Sequence, residues 1–421
     1  MKIKRDRYLN KMIEHMHTDM VKIITGLRRV GKSYFLSNIF VEYLNSINVK
    51  DDHIIYLQLD VLENKKYRDE EYLYNMLKLM IKDEDYYYIL LDEVQYVENF
   101  WEVLNSLRQI KNVDLYCTGS NSKFLSKDIL TEFRGRSVEI HLMPISFKEY
   151  IDSFDMENKE AYDKYSLYGG LPYVINLKED ATKKEYLKNL YDEIYLKDIK
   201  ERKKIKNDDD MQDILNVLSS SVGSFTNPQR LANTFKSLKK ESENEINKVL
   251  IKNYIDALED SFIIKSTNRY DIKGRKYINT PKKYYFEDIG LRNARINFRQ
   301  EEDGHIMENI IYNELIYRGY NVDVGIVEVN DKNKNGGYVR KQLETDFIAM
   351  MGHKKYYIQS AYEMGTEEKR EQEYRALKNI DDSFKKFVIR YDNNQTYIND
   401  YGIINLGLFD FLTNEDCFSF D

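Results

Sequence analysis

Residues 21–33 read VKIITGLRRVGKS, and this stretch constrains the chain more than any other. VKIIT is a short apolar run of the kind that forms a buried strand. Gly26–Ser33 then fits the pattern G-x-x-x-x-G-K-[ST] at every position. SYFLSNIFVEYLNSI follows with the apolar spacing of a helix. Glycines 26 and 31 let backbone N–H groups turn inward around an anion, and the helix N-terminus adds its dipole there. Lys32 is placed to meet the β- and γ-phosphates of a nucleotide, and the Ser33 hydroxyl to ligand Mg2+. Leu27, Arg28, Arg29 and Val30 complete the loop. The two arginines are candidates for contact with nucleotide or with a neighbouring domain.

The rest of the first 150 residues alternates strands with helices. HIIYLQLD (53–60), YYYILLDE (86–93), VDLYCTGS (113–120) and SVEIHLMPIS (137–146) read as buried strands, and FWEVLNSLRQI as a helix between two of them. Such alternation predicts a parallel α/β sheet with helices on both faces. YYYILLDE ends in Asp92-Glu93, about sixty residues after the loop. Asp92 is suited to hold Mg2+ through its water shell, and Glu93 to polarise an attacking water. The alternative is that the two acids cap the next helix. A third strand ends in TGSNS, where Ser120 and Asn121 can touch a γ-phosphate or the water, or merely cap a helix. Arg134 and Arg136, just before the last strand, can steady transition-state charge in cis or on a neighbouring copy, or form a solvated basic turn.

Residues 151–206 read as a helical lid or linker, broken at GGLPYV (169–174), where Gly-Gly and Pro end a helix. The basic stretch 197–206 runs into Asp208–Asp210 and reads as a boundary. Across 207–290, three short helices precede a ribbon turning at Lys273–Gly274, the make-up of a winged helix-turn-helix. Arg269–Lys283 carries six basic residues and one acidic, so this wing can meet phosphates. The helix expected over 244–262 carries Glu245, Asp256, Glu259 and Asp260, a poor groove reader. Docking within the protein or onto a protein partner is the competing role. Residues 291–421 read as a helix, strands near YNVDVGIV, ETDFIAMM and YYIQSAYEM, a helix, and a strand KKFVIRYD. DKNKNGG (331–337) is expected to be a loop.

Composition excludes several classes. A net charge of −7 speaks against a surface that binds nucleic acid everywhere, though not against a local basic patch. Cys117 and Cys417 form no metal pattern and predict no disulfide framework. The six histidines show no metal spacing. MKIKRDRYLNK is not a signal peptide, and no apolar run approaches membrane-span length. The expectation is a soluble, cytoplasmic chain that meets no membrane.

VKIITGLRRVGKSYFL, ILLDEVQ, TGSNSKFLS and FRGRSVEIHLMPISFKEY together resemble the AAA+ superfamily of P-loop NTPases. More closely, they resemble the archaeal-type ATPases that carry a C-terminal domain of unknown function. GGLPYV, the winged-helix segment and the ETDFI…YYIQ segment stand in the same order there, so the resemblance covers nearly the whole chain. It implies ATP, Mg2+ and a regulated ATPase cycle, with no defined substrate; homo-oligomers are compatible with it. The last domain resembles the PD-(D/E)XK nuclease fold, with Glu308 and Asp346 as possible metal ligands. Where that pattern has an acid and a lysine, this chain has Gln359 and Ala361. Lys354 or Lys355 is the available substitute. The expectation is a nuclease-like domain kept for binding, without cleavage. The function expected is a nucleotide-dependent switch acting on DNA or a protein. The rivals are an ATP-regulated nuclease and an ATP-holding module with little turnover.

Overall fold

A computed structural model describes residues 3–119, 135–154, 156–191, 208–238, 248–299, 302–332, 337–391 and 395–419. It divides into two compact units. One holds Met1–Pro144 with Asp260–Phe262, the other Ile145–Glu259 with Ile263–Asp421. The sequence suggested four domains with a first boundary at 150. The three expected after that boundary form one unit.

The first unit is built on a parallel five-stranded sheet, the P-loop α/β architecture the sequence predicted. Its strands are β1 (Val21–Thr25), β2 (Ile54–Gln58), β3 (Tyr87–Asp92), β4 (Val113–Thr118) and β5 (Ser137–His141). They run in the order β2-β3-β4-β1-β5. The three inner strands are buried at every residue, whereas edge strand β2 is buried only at alternate ones. That difference is why the inner strands read as continuous apolar runs. One core packs Ile23, Leu57, Ile89 and Leu91 against Leu73, Leu77, Phe100 and Leu104. Lys22, inside the apolar run of β1, is wholly buried and ion-paired with Asp114 of β4. The Tyr116 hydroxyl also donates to that carboxylate, at 2.7 Å. A buried charge in a central strand is tolerated only with such partners.

The second unit carries an eight-stranded sheet. Its strands are β6 (Ile264–Asp271), β7 (Lys276–Phe286), β8 (Asn321–Lys332), β9 (Tyr338–Met351), β10 (Lys354–Ala361), β11 (Lys385–Arg390), β12 (Tyr397–Ile398) and β13 (Ile404–Gly407). The order is β12-β13-β11-β10-β9-β8-β6-β7. The three helices expected before the ribbon are present as Asp208–Ser220, Pro228–Leu238 and Lys248–Asp260. The ribbon itself, β6–β7, is not the free wing of a separate domain. β6 pairs in parallel with β8, Arg269 opposite Val324, and so joins the terminal sheet. The GGLP break finds its reason at Asp288. Gly169 has φ +74°, and its side of the turn lies so close to the Asp288 carboxylate that a Cβ would collide with it. Gly170 N–H donates to that carboxylate at 2.8 Å and Leu291 N–H at 3.0 Å. Burial still pushes the carboxyl up to about 6, against those backbone donors.

Among the described residues, no helix is long and apolar enough to cross a membrane. Residues 197–206, the expected boundary, and 333–336, most of the expected DKNKNGG loop, lie outside the described residues.

Candidate functional site

The loop Gly26–Ser33 leaves the carboxyl end of β1, where ligands gather in an open parallel sheet. Gly26 has φ +136°, and any Cβ there would strike the Leu142 carbonyl. Arg29 and Gly31 also take positive φ, 67° and 99°. The loop is therefore tightly turned, as a phosphate cradle requires. Leu27 and Val30 are buried and pin the loop, while Arg28 is half-buried and Arg29 exposed. Lys32 is 4% exposed, and its ammonium donates to the carbonyls of Gly26 at 3.0 Å and Leu27 at 3.2 Å. It arches over the cradle, where a β- or γ-phosphate oxygen would meet it. A continuous helix, 32–46, follows, with a widened π-turn over Phe35–Phe40. Such turns concentrate at functional sites.

Asp92 ends β3 and is wholly buried. Its carboxylate accepts from the Thr118 hydroxyl, from Tyr56 Oη at 3.0 Å, and from the Ser33 side chain. Burial raises its pKa, and neighbouring Glu93 adds to the rise, while the three hydroxyls oppose it. The contact between Ser33 and Asp92 joins the two residues that the sequence assigned to the metal. A buried anion held only part-way by hydroxyls, beside a second hydroxyl ligand, is the donor set a Mg2+ with bound waters would complete. Ser33 and Asp92 therefore fit that ion. Glu93 takes left-handed backbone angles, φ 55° and ψ 50°, and its side chain makes no helix-capping hydrogen bond. The capping alternative thus finds no support at Glu93. Non-glycine residues in that region are strained and concentrate at active sites. Its N–H donates to Thr118 Oγ1 at 2.9 Å.

Thr118 and Tyr56 were missed in the sequence. Thr118 opens the TGSNS motif, but nothing local sets it apart from the polar residues that follow it. Ser120, Asn121 and Arg134 lie outside the described residues. Arg136 requires a correction. Its carbonyl accepts from Val21 N–H at 3.0 Å, and Ser137 pairs with Val21 in a parallel register. Arg136 thus sits at the amino end of the sheet, one five-residue strand, roughly 16 Å, from the loop. Action in cis on the bound phosphates is excluded by that distance.

The second unit holds another polar centre. Lys283 of β7 is 3% exposed. Its ammonium pairs with Glu308 at 2.7 Å, with Glu344, and with Asp346 at 3.5 Å. Glu308 also accepts from Tyr285 Oη at 2.6 Å and faces His305 Nδ1 at 3.5 Å. Asp346 accepts from Ser360 N–H at 2.8 Å, and Gln359 bridges from Asp346 N–H to Glu373. Lys283, Glu308, Glu344, Asp346, Gln359 and Glu373 line a cavity of about 900 Å3. Burial opposes charge on Lys283, Glu308 and Asp346. Against its burial, the Glu308 carboxyl is held low by Lys283, whereas burial and the Glu308 charge push Asp346 well up. Glu308, Glu344 and Asp346 in turn raise Lys283, against its burial.

The lysine that stands against these acids is Lys283, from the ribbon. Lys355, the expected substitute, packs instead over the rings of Tyr270, Tyr357 and Phe384. The basic wing shrinks accordingly. Lys283 is buried in ion pairs, Arg269 is 9% exposed and bonds Gln342, and Lys273, Arg275 and Lys276 alone of the six are exposed.

Residues 18–151 match the family model described as an AAA domain, and residues 159–302 match a domain of unknown function, DUF8612. An uncharacterized protein of Haemophilus influenzae is 32% identical over 393 residues, covering 92% of this chain and 93% of its own length. An uncharacterized Methanocaldococcus jannaschii protein, MJ1544, is 29% identical, covering 89% of this chain and 81% of its own. The structure of Aeropyrum pernix Orc1 in complex with DNA aligns with TM-score 0.32 and 12% identity, over 70% of this chain and 93% of that one. Cdc6p of Pyrobaculum aerophilum aligns with TM-score 0.29 and 10% identity, over 73% and 93%. Scores this low carry no inference about function. The loop geometry, the strand order and the matches agree: the chain belongs to the same family as the Haemophilus influenzae protein and carries an AAA domain at residues 18–151.

Proposed function

We propose that the first unit binds Mg·ATP and hydrolyses it, and that the nucleotide state acts as a switch on DNA or a protein partner. The observation that carries this reading is the buried contact between Ser33 and Asp92 beside the Lys32 loop. Lys32 and the loop N–H groups would hold the phosphates, and Ser33 and Asp92 the Mg2+. That ion would neutralise charge on the phosphates; the remaining chemistry belongs to the chain. Glu93 takes the proton of the attacking water, and the bond to the leaving ADP oxygen breaks. Ser120, Asn121 and Arg134 remain candidates for contacting the γ-phosphate. Arg136 remains one only for the nucleotide of a neighbouring copy in a homo-oligomer. Thr118 links the two acids and would sense the γ-phosphate through them. An ATPase assay with and without DNA, beside a mass measurement with and without ATP, tests the switch. Turnover that responds to neither DNA nor assembly would leave the protein partner as the object of the switch. No turnover at all would leave an ATP-holding module.

A second reading has a specific observation in its favour. Lys283 stands against Glu308, Glu344 and Asp346 in one cavity. The expectation of no cleavage rested on Gln359 and Ala361 in place of an acid and a lysine, and Lys283 supports revisiting the second of these. The three carboxylates would hold a divalent cation, and Lys283 would steady a hydroxide. Plasmid DNA incubated with Mg2+ or Mn2+, with and without ATP, tests it. Nicking that Asp346→Ala abolishes supports an ATP-regulated nuclease, and intact plasmid in every lane leaves the switch alone. DNA contact, on either reading, is assigned to the exposed Lys273, Arg275 and Lys276.

A further inference from the structure

The motif ILLDEVQ contains one polar residue that the assignments above do not use. The short turn Val94–Tyr96 after β3 brings Gln95 back to the acid that precedes it. Its amide nitrogen donates to Glu93 Oε2. Its amide oxygen is buried and has no hydrogen-bond partner among the described residues. An orphaned buried acceptor in a native fold calls for a function or a water. Here the orphan belongs to the side chain that already grips the proposed base. A glutamine amide is well suited to orienting a water beside a phosphoryl group, because it donates with one end and accepts with the other.

We propose that Gln95 places the attacking water together with Glu93. Its nitrogen fixes the Glu93 carboxylate, and its oxygen accepts one O–H of the water whose other proton passes to Glu93. The water oxygen then bonds to the γ-phosphorus as the β–γ bridging bond breaks, releasing ADP and phosphate. Gln95 itself gains and loses no proton. The inference rests on the hydrolytic reading of this site.

Gln95→Leu removes both contacts at similar size. Single-turnover hydrolysis should slow roughly tenfold or more, the low end for losing a group that positions a proton transfer. ATP affinity should hold within about twofold. In a Glu93→Gln background, Gln95→Leu should cost little more, since the two act as one unit. Gln95→Glu keeps the size of the side chain and serves if the leucine variant fails to fold. Hydrolysis should then slow at unchanged ATP affinity, as in the leucine variant. A slow Glu93→Gln with a wild-type Gln95→Leu would overturn the inference and leave the hydrolytic reading standing. Equal losses of affinity and rate in Gln95→Leu would also overturn it, in favour of a structural role. A wild-type rate in Glu93→Gln would overturn the hydrolytic reading itself.

Discussion

The two polar centres of the molecule are compensated in opposite ways. At the loop, buried Asp92 accepts from the hydroxyls of Thr118, Tyr56 and Ser33. In the second unit, buried Glu308 and Asp346 and half-buried Glu344 share the ammonium of Lys283. The first arrangement is suited to be completed by a bound cation. The second already contains one, and a divalent ion would have to compete with it. The contrast teaches that charge balance, more than the presence of acids, tells a site built for nucleotide from one whose role is open between structure and chemistry.

Lys32→Ala should abolish ATP binding, because it removes the cation facing the β- and γ-phosphates. Equilibrium titration with a fluorescent ATP analogue measures this, and unchanged affinity would move the nucleotide away from the loop. Lys283→Met should leave nucleotide affinity alone but destabilise the second unit by about 3–5 kcal/mol, the usual cost of stranding buried partners of an ion pair. Denaturant unfolding reads that loss, and adding Glu308→Gln should recover part of it. If Lys283→Met is as stable as the wild type, the cluster is not held by that lysine.

Asp346→Asn should act in the other direction. A carboxyl held above its unfolded-state pKa favours the fold below that value and loses the contribution as pH rises. Near pH 8 the neutral amide should therefore raise the melting temperature by about 2–4 °C, equivalent to roughly 1 kcal/mol in a unit of this size. Near pH 3, where both states of the wild type are protonated, the difference should vanish. A melting temperature lowered at both pH values would show that the charged form is the one the fold needs. The smallest effect is expected at Arg136. Arg136→Ala should leave ATP affinity unchanged within error, because the residue sits at the far end of the sheet. A clear loss of affinity in dilute protein would contradict that placement.

The first centre was largely legible in the sequence, and the second only in part. Gly26–Ser33 is one run of chain, and Asp92-Glu93 directly follows an apolar strand, so local pattern sufficed to find both. Tyr56 and Thr118 escaped because nothing local marks a hydroxyl that meets a carboxylate across a sheet. The place of Arg136 was not legible, because its end of the sheet depends on strand direction and register. Glu308 and Asp346 were visible as acids on a helix and a strand. Lys283 was not, because β7 reaches them only through the pairing of β6 with β8. In sequence, its neighbours Lys282, Lys276 and Arg275 made it read as part of a solvated basic ribbon. Of the overall fold, all five strands of the first sheet were anticipated. The short strands β12 and β13 were not, since runs of two and four residues carry almost no periodicity.

The central claim is that the loop, Asp92 and Glu93 form a working hydrolytic centre. Single-turnover hydrolysis of Mg·ATP by wild-type protein and by Glu93→Gln, with bound nucleotide measured in parallel, tests it most directly. The account predicts that the variant keeps ATP binding and slows hydrolysis by roughly 10²-fold or more, the scale for losing a positioned general base. Equal rates in the two proteins would contradict it.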